Sequence, residues 1–393
     1  MISMQCDCEQ KQHSAPIKTI EVSENASDKV VEILKDYNRI FLVADENTYE
    51  VLGKKVEKLL KDAGKLSHTC ILENPCLPTN ANIGRVLIEA GIDDEVYDIN
   101  SFSTNPDYIL AVGSGSLNDI CRMVSYRIGI EYGVVGTAPS MDGYVSVVAP
   151  LLVGRKKLVY TCSVARHIII DLNVCAQAPY EMLLAGVGDM VGKYVAILDW
   201  QLSHKLTGEY YCEKVANMVF EATDKCVASS VHLQEREIGT IKNTIEGLIL
   251  SGLCMAYTGT SRPASGTEHM IAQTWEVMDV EKGKTPHLHG IEVSEGTVVA
   301  ILMYKRLYEE TKEEWLKEMI GKFIPVFDTA LELQKKIKIP FTVTQKEKFV
   351  EGVLRGRTFR DRYTLLQYLY DRNELEDYAD KVFDEAMKYS FAE

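Results

Sequence analysis

No stretch of the chain comes near the ~20 consecutive apolar residues that a bilayer-spanning helix needs, so no membrane span is expected. The opening MISMQCDCEQKQHSAP is polar and acidic. It lacks the apolar centre of a secretory signal, and the expected location is cytoplasmic. Positive charge is in deficit: 43 lysines and arginines face 57 acidic residues, a formal net charge of −14. Nucleic-acid binding needs a basic face that releases counterions, and none is visible, so no nucleic-acid partner is expected. A small anionic ligand is not excluded, because a few local cations or a helix N-terminus can hold one. Internal repeats and low-complexity tracts are lacking too. Cysteine is present without a pairing pattern. Cys70, Cys76, Cys121, Cys162, Cys175, Cys212, Cys226 and Cys254 have no close partner in sequence and sit mostly among apolar residues, as cytosolic thiols do. Cys6 and Cys8 form a CxC pair inside residues 1–17, a segment read as a flexible N-terminal tail. That reading takes precedence over a metal or redox role for the pair.

What is present is a globular composition on a chain of 393 residues, too long for one ordinary core. From 18 to 179 strand-like and helix-like stretches alternate. Residues 39–44, 68–72, 108–112, 132–136 and 167–171 read as buried strands, and 48–63, 80–90 and 117–128 as helices. Such alternation implies a parallel sheet covered on both faces, an α/β domain. After Pro179 helical periodicity dominates to residue 393, with long segments at 186–203, 210–231, 235–257 and 296–310. The expected architecture is therefore an α/β nucleotide-binding domain over 18–179 and an all-α domain over 180–393.

Two loops in the first domain follow strands. In the first, Gly113, Ser114, Gly115 and Ser116 lead into Leu117 at the start of a helix. Glycine lets backbone approach a ligand, and the new helix aims free N–H groups at a phosphate. The spacing is not GxGxxG, so the usual dinucleotide fingerprint is absent, and a plain tight turn is an equal reading. In the second, from Gly136 to Ser146, Thr137, Ser140 and Ser146 supply hydroxyls and Asp142 a carboxylate. In open α/β sheets ligands collect at the carboxyl ends of strands, so the two loops suggest one crevice. Asp45 ends the first strand; it would take the hydroxyls of an adenosine ribose or cap the following helix.

In the helical part, Asp189 follows Gly188, His269 closes the run SRPASGTEH, and His289 precedes Gly290. One carboxylate and two imidazoles make a divalent-metal set with a position left for a substrate oxygen. The spacing is too wide to be specific; Asp189 reads equally as a helix N-cap, and His269 as a hydrogen-bonded helix histidine.

GSGSLNDICR at 113–122 resembles the glycine-rich loop of the glycerol dehydrogenase and dehydroquinate synthase superfamily, which includes iron-containing alcohol dehydrogenases. GTAPSMDGYVS, AGVGDMVGKY and above all SRPASGTEHMIAQTWE are closely similar to glycerol-1-phosphate dehydrogenases, and the 354–364 segment resembles the bacterial branch. The resemblance implies a dehydroquinate synthase-like fold. It implies that Gly113, Ser114, Gly115, Ser116 and Leu117, with Thr137, Ala138, Pro139 and Ser140, hold NAD or NADP, assisted by Ser146 and by Asp45 at the ribose. It places Asp142 and Asp189 at the substrate and gives Asp189, His269 and His289 to one divalent ion, zinc or nickel. His287 is the less favoured alternative to His289. Gln273 stands where the family commonly has histidine. A glutamine carries no proton at neutral pH, which leaves hydrogen bonding to substrate. Arg122 replaces the usual lysine, keeping charge while changing donor geometry.

The implied reaction is reversible reduction of dihydroxyacetone phosphate to glycerol-1-phosphate, with Asp142 or a water ordered by it on the proton path. Arg262, Lys193 and the Arg355 to Arg362 group are the candidate cations for the substrate phosphate. A homo-oligomer, dimer or larger, is expected, and lipid biosynthesis is the use implied by analogy. The competing readings are a dehydrogenase for glycerol or another polyol, and a dehydroquinate synthase-like cyclase.

Overall fold

A computed structural model describes residues 1–91 and 106–390. The chain divides into two compact units. The first comprises Met1–Met4, Ser14–Pro139 and Gly143–Pro179; the second comprises Gln5–His13, Ser140–Asp142 and Tyr180–Glu393.

The first unit is built on a six-stranded parallel sheet. Its strands lie in the order Thr19–Ser23, His167–Asp171, Glu131–Gly136, Tyr108–Gly113, Ile40–Asp45 and Leu66–Leu72. Every residue of Ile40–Asp45, Tyr108–Gly113 and His167–Asp171 is buried. This is why these strands read as unbroken apolar runs: helices cover both faces of the sheet. The sequence reading missed an edge strand and an antiparallel pair, among other short elements. The edge strand Thr19–Ser23 is only half-buried along its length, so its apolar signal is weak. The antiparallel pair Val148–Val153 and Lys156–Thr161 turns through Gly154, whose φ of 60° suits glycine.

The expected helix over 48–63 is divided into Glu46–Thr48, a wider π turn at Tyr49–Gly53, and Lys54–Asp62. In the second unit the expected 186–203 helix is two helices, Tyr180–Val191 and Lys193–Thr207, meeting at Gly192. Asp189 therefore lies in a last turn, and its reading as an N-cap fails. Later helices include Glu213–Ser230, Ile238–Thr258, Thr267–Glu281 and His289–Glu310, followed by shorter ones to Tyr389.

The N-terminal segment departs from the expected flexible tail. Ile2–Gln5 and Gln12–Ala15 pair as two strands, and His13, Ala15 and Ile17 are almost fully buried. The polar sequence that suggested a tail alternates along the second strand, where exposed Gln12 and Ser14 flank the buried His13 and Ala15.

Candidate functional site

The carboxyl ends of three neighbouring strands carry the loops proposed for the cofactor. Gly113 pairs in register with Gly136, and Ile40–Asp45 lies on the other side of Tyr108–Gly113. The helix Gly115–Ile128 begins directly after Ser114, two residues earlier than expected, so its first N–H groups belong to the glycine-rich turn. A backbone bond from Thr137 N–H to the Gly113 carbonyl (3.2 Å) ties the two loops together. Tyr144 donates to the Ala138 carbonyl at 2.6 Å and fixes the second loop from beneath.

Some expected cofactor residues have other partners. The Asp45 carboxylate accepts the Thr48 N–H at 2.9 Å in a capping box, so its capping role is realised. The Ser146 hydroxyl bonds within its own turn, to Val148 N–H at 3.0 Å. Arg122 is fully buried, reaching Asp119 at 2.6 Å, the Val148 carbonyl at 2.8 Å and the Gly143 carbonyl. Its charge holds the 143–148 loop in shape and is not presented to a ligand.

Within the second unit, Asp189, His269 and His289 come together, each offering an atom within 4.8 Å of the others. His287 is outside this group. Close helix packing makes the convergence possible. A Cβ on Gly188 would lie 2.4 Å from the Gly290 carbonyl oxygen, and one on Gly290 would lie 1.8 Å from that of Ala185. Helices Tyr180–Val191 and His289–Glu310 thus touch backbone to backbone, which brings Asp189 and His289 within reach of one ion.

His269 Nε2 lies 3.7 Å from Asp189 Oδ1, close to the ~3.4 Å edge expected between N and O ligands on a tetrahedral ion. On the other side of the ring, Nδ1 faces Glu268 Oε1 at 2.7 Å. A carboxylate there fixes the tautomer with the proton on Nδ1 and leaves the Nε2 lone pair for a metal. Burial, then the nearby Lys193 charge, holds His269 well below the ordinary histidine pKa against the opposing pull of Asp189, which keeps the ring in its ligand form. Burial pushes Glu268 up to about 7. The residues present therefore fit a divalent cation.

Asp142 stands beside this group. Its N–H donates to Asp189 Oδ2 at 2.8 Å, while its Oδ2 accepts Lys193 Nζ at 2.7 Å and Ser251 Oγ at 2.9 Å. Lys193 is fully buried and donates also to Asp189 Oδ1 (2.5 Å) and the Ala264 carbonyl (3.2 Å). Burial opposes its charge, but the two carboxylates outweigh that and raise its pKa above the usual lysine value. With three protein acceptors Lys193 does not serve as the phosphate cation, one of the roles considered for it. Arg262 is ruled out on the same ground: its guanidinium is buried in a two-pronged pair with Glu209 and also meets the Tyr363 carbonyl at 2.9 Å.

Arg360 and Arg362 differ. Arg360 donates to Ser261 Oγ at 2.9 Å and to Gln273 Oε1 at 3.1 Å; Arg362 donates to Ser261 Oγ at 2.9 Å and the Ser265 carbonyl at 2.8 Å. Among the described residues neither forms an ion pair. Burial first, then Arg360 and Arg262, lower Arg362 to about 9. An anion would relieve that repulsion. Gln273 lies one helical turn beyond His269, so this cationic pair is anchored next to the metal-ligand set.

Sequence reasoning missed Lys193 as the bridge between Asp142 and Asp189, Glu268 as the partner of His269, and Asp199. Buried Asp199 accepts the N–H groups of Thr267 and Leu365, the starts of the helices on which His269 and the C-terminal segment depend. The i, i+4 spacing of Asp189 and Lys193 and the adjacency of Glu268 to His269 were the local signals available.

An α/β unit with glycine-rich strand-to-helix turns and a helical unit with a carboxylate–imidazole set define a dehydrogenase of the metal-dependent alcohol dehydrogenase class. A family model described as iron-containing alcohol dehydrogenase matches residues 21–179. Curated relatives narrow the class. The glycerol-1-phosphate dehydrogenase of Halalkalibacterium halodurans is 32% identical over 77% of this chain and 75% of its own. That of Bacillus velezensis is 34% identical over 74% and 72%, and that of Bacillus licheniformis is 28% identical over 93% and 91%. The chain belongs to the glycerol-1-phosphate dehydrogenase family. Its fold matches the crystal structure of glycerol dehydrogenase from Schizosaccharomyces pombe (TM-score 0.68, 15% identity, 95% of this chain and 90% of that one). It also matches the iron-containing alcohol dehydrogenase from Thermotoga maritima (TM-score 0.70, 15% identity, 96% and 99%).

Proposed function

We propose that the chain is an NAD(P)-dependent sn-glycerol-1-phosphate dehydrogenase that reversibly reduces dihydroxyacetone phosphate. The observation that carries this reading is the convergence of Asp189, His269 and His289 beside a cationic pair, Arg360 and Arg362, that forms no ion pair among the described residues. Asp189, His269 and His289 would hold one divalent ion. Two imidazoles and a carboxylate suit zinc or nickel. Bound there, the ion would polarise the substrate carbonyl and stabilise developing negative charge. The nicotinamide cofactor supplies or accepts the hydride. Its pyrophosphate would rest on the N-terminal turn of Gly115–Ile128 and on Thr137 to Ser140, with Asp45 near the ribose.

The chain's own residues divide the remaining work. Arg360 and Arg362 bind the substrate phosphate, and Gln273, held by Arg360, offers its amide to a substrate hydroxyl. Lys193 and Ser251 fix the Asp142 carboxylate, which orients the water that brings a proton to the substrate oxygen. Glu268 holds the His269 ring in its metal-binding orientation. The enzyme would work as a homo-oligomer in the cytoplasm and supply lipid biosynthesis.

The test is NADH oxidation with dihydroxyacetone phosphate and with unphosphorylated dihydroxyacetone, before and after chelation, with chiral analysis of the product. The reading requires loss of activity on chelation, restoration by zinc or nickel, and a strong preference for the phosphorylated substrate. Equal rates on both substrates would overturn it in favour of a polyol dehydrogenase. Turnover without net NADH consumption would point to a cyclase.

A further inference from the structure

A second cluster of metal-ligating side chains lies in the helical unit, built from different residues. Cys6, Cys8, His13 and Cys212 each offer one ligand atom, and all four atoms lie within 4.8 Å of one another. Three come from the N-terminal hairpin. Cys212 is the residue that caps Glu213–Ser230.

The separations are those of a tetrahedron around one ion. Cys6 and Cys212 sulfurs are 3.6 Å apart, and His13 Nε2 lies 3.3 Å from the Cys8 sulfur and 3.6 Å from that of Cys212. Bonds of about 2.3 Å to sulfur and 2.0–2.1 Å to nitrogen give tetrahedral edges of about 3.8 Å for S to S and about 3.5 Å for S to N. The ring orientation agrees. His13 Nδ1 faces the Tyr257 carbonyl at 2.9 Å, so the proton sits on Nδ1 and the Nε2 lone pair points at the three sulfurs. The Tyr210 hydroxyl lies 3.3 Å from the Cys8 sulfur, placed to donate to a thiolate. His13 and Cys212 are buried and Cys6 and Cys8 half-buried. Four protein ligands leave no position for substrate, the mark of a structural site.

We propose that Cys6, Cys8, His13 and Cys212 bind a structural zinc ion, distinct from the ion held by Asp189, His269 and His289. On binding, each thiol that becomes a ligand gives up its proton to solvent, and no redox change occurs. The ion joins the hairpin to the segment that leads into Glu213–Ser230. That segment carries Glu209, which pairs with Arg262 of the SRPASG run, while His13 is tied to the end of Ile238–Thr258, just before that run. The zinc thus braces the back of the loop that delivers His269.

Metal content of the purified full-length protein, measured by mass spectrometry after growth with zinc, tests this. The wild type should carry two molar equivalents. Cys6→Ser/Cys8→Ser should carry one, and Asp189→Asn should keep the thiolate-bound one. Cobalt substituted into the protein should give a thiolate charge-transfer band that survives Asp189→Asn and is lost in the cysteine variant. Should that variant fail to fold, wild-type protein titrated with an organomercurial in the presence of a zinc indicator supplies the same answer: one equivalent is released as three thiols react. The proposal is overturned if full thiol titration releases no zinc. It is also overturned if peptide mapping without reductant finds Cys6 and Cys212 joined as a disulfide in the zinc-grown protein.

Discussion

Among the described residues the helical unit holds two clusters suited to a cation, and they are opposites in chemistry. Asp189, His269 and His289 offer one oxygen and two nitrogens and stop at three, while Cys6, Cys8, His13 and Cys212 offer three sulfurs and one nitrogen and close the shell. The open set is reached through helices packed at glycine, with a buried network of Lys193, Asp142 and Glu268 around it. The closed set joins chain segments some 200 positions apart, alongside bonds from Gln10 to the Thr258 carbonyl and from Lys214 to the Gln5 carbonyl. An exchangeable coordination position serves chemistry; a filled shell of thiolates serves cohesion. On the two proposals, the same unit would separate turnover from bracing by ligand type and number.

The largest expected effect breaks the first cluster alone. Asp189→Ala should lower kcat/KM for dihydroxyacetone phosphate by about 10³-fold or more, the scale of losing a metal that stabilises developing charge. The thiolate–cobalt band should be unchanged; if it vanished too, the two clusters would not be separate. Glu268→Gln comes next. Loss of the carboxylate that orients His269 should weaken metal affinity at the open site by about 10–100-fold, read by competition with a chelating indicator. Arg360→Ala should raise KM for the phosphorylated substrate by about tenfold, the cost of one charged hydrogen bond, and leave the rate on unphosphorylated dihydroxyacetone nearly unchanged. An equal loss on both substrates would assign Arg360 to holding Ser261 and Gln273 and not to phosphate.

The last effect, on stability alone, lies outside both clusters and serves as their control. His167, on the strand His167–Asp171, sits 2.7 Å from the Tyr108 hydroxyl; burial first, then Lys18, lowers its pKa to about 4. A folded pKa below the unfolded one means the histidine must gain its proton on unfolding. Its stabilising contribution is intact above about pH 6.5 and is lost as pH falls from there towards 4. The loss should be roughly 2 kcal/mol once solvent screening is allowed for. Denaturant melts of His167→Asn should be flatter with pH across that window, and an unaltered slope would show that other groups govern it.

Much of the α/β half was legible because its signals are local. The strands Ile40–Asp45, Tyr108–Gly113 and His167–Asp171 are buried on both faces, so each is written as a continuous apolar run. The half-buried edge strand Thr19–Ser23 left no such run. In the site, residue identity and a glycine neighbour pointed to Asp189, His269 and His289, and the structure brings them together. Lys193 was considered as a phosphate cation, and only its three acceptors reveal a buried bridge. Arg360 and Arg362 were two charges in a basic group until the contacts of Arg262 with Glu209 removed their competitor.

By itself the sequence determined an α/β half followed by a helical half, the glycine-rich turns, and the residue types able to grip a metal. Periodicity and local steric freedom are properties of neighbouring residues. The tertiary structure alone decided which charges neutralise one another, that the first seventeen residues are not a loose tail, and that Cys6, Cys8 and His13 meet Cys212. Each of those outcomes depends on groups far apart in the chain, and their approach is set by how helices and strands pack, which no local pattern records.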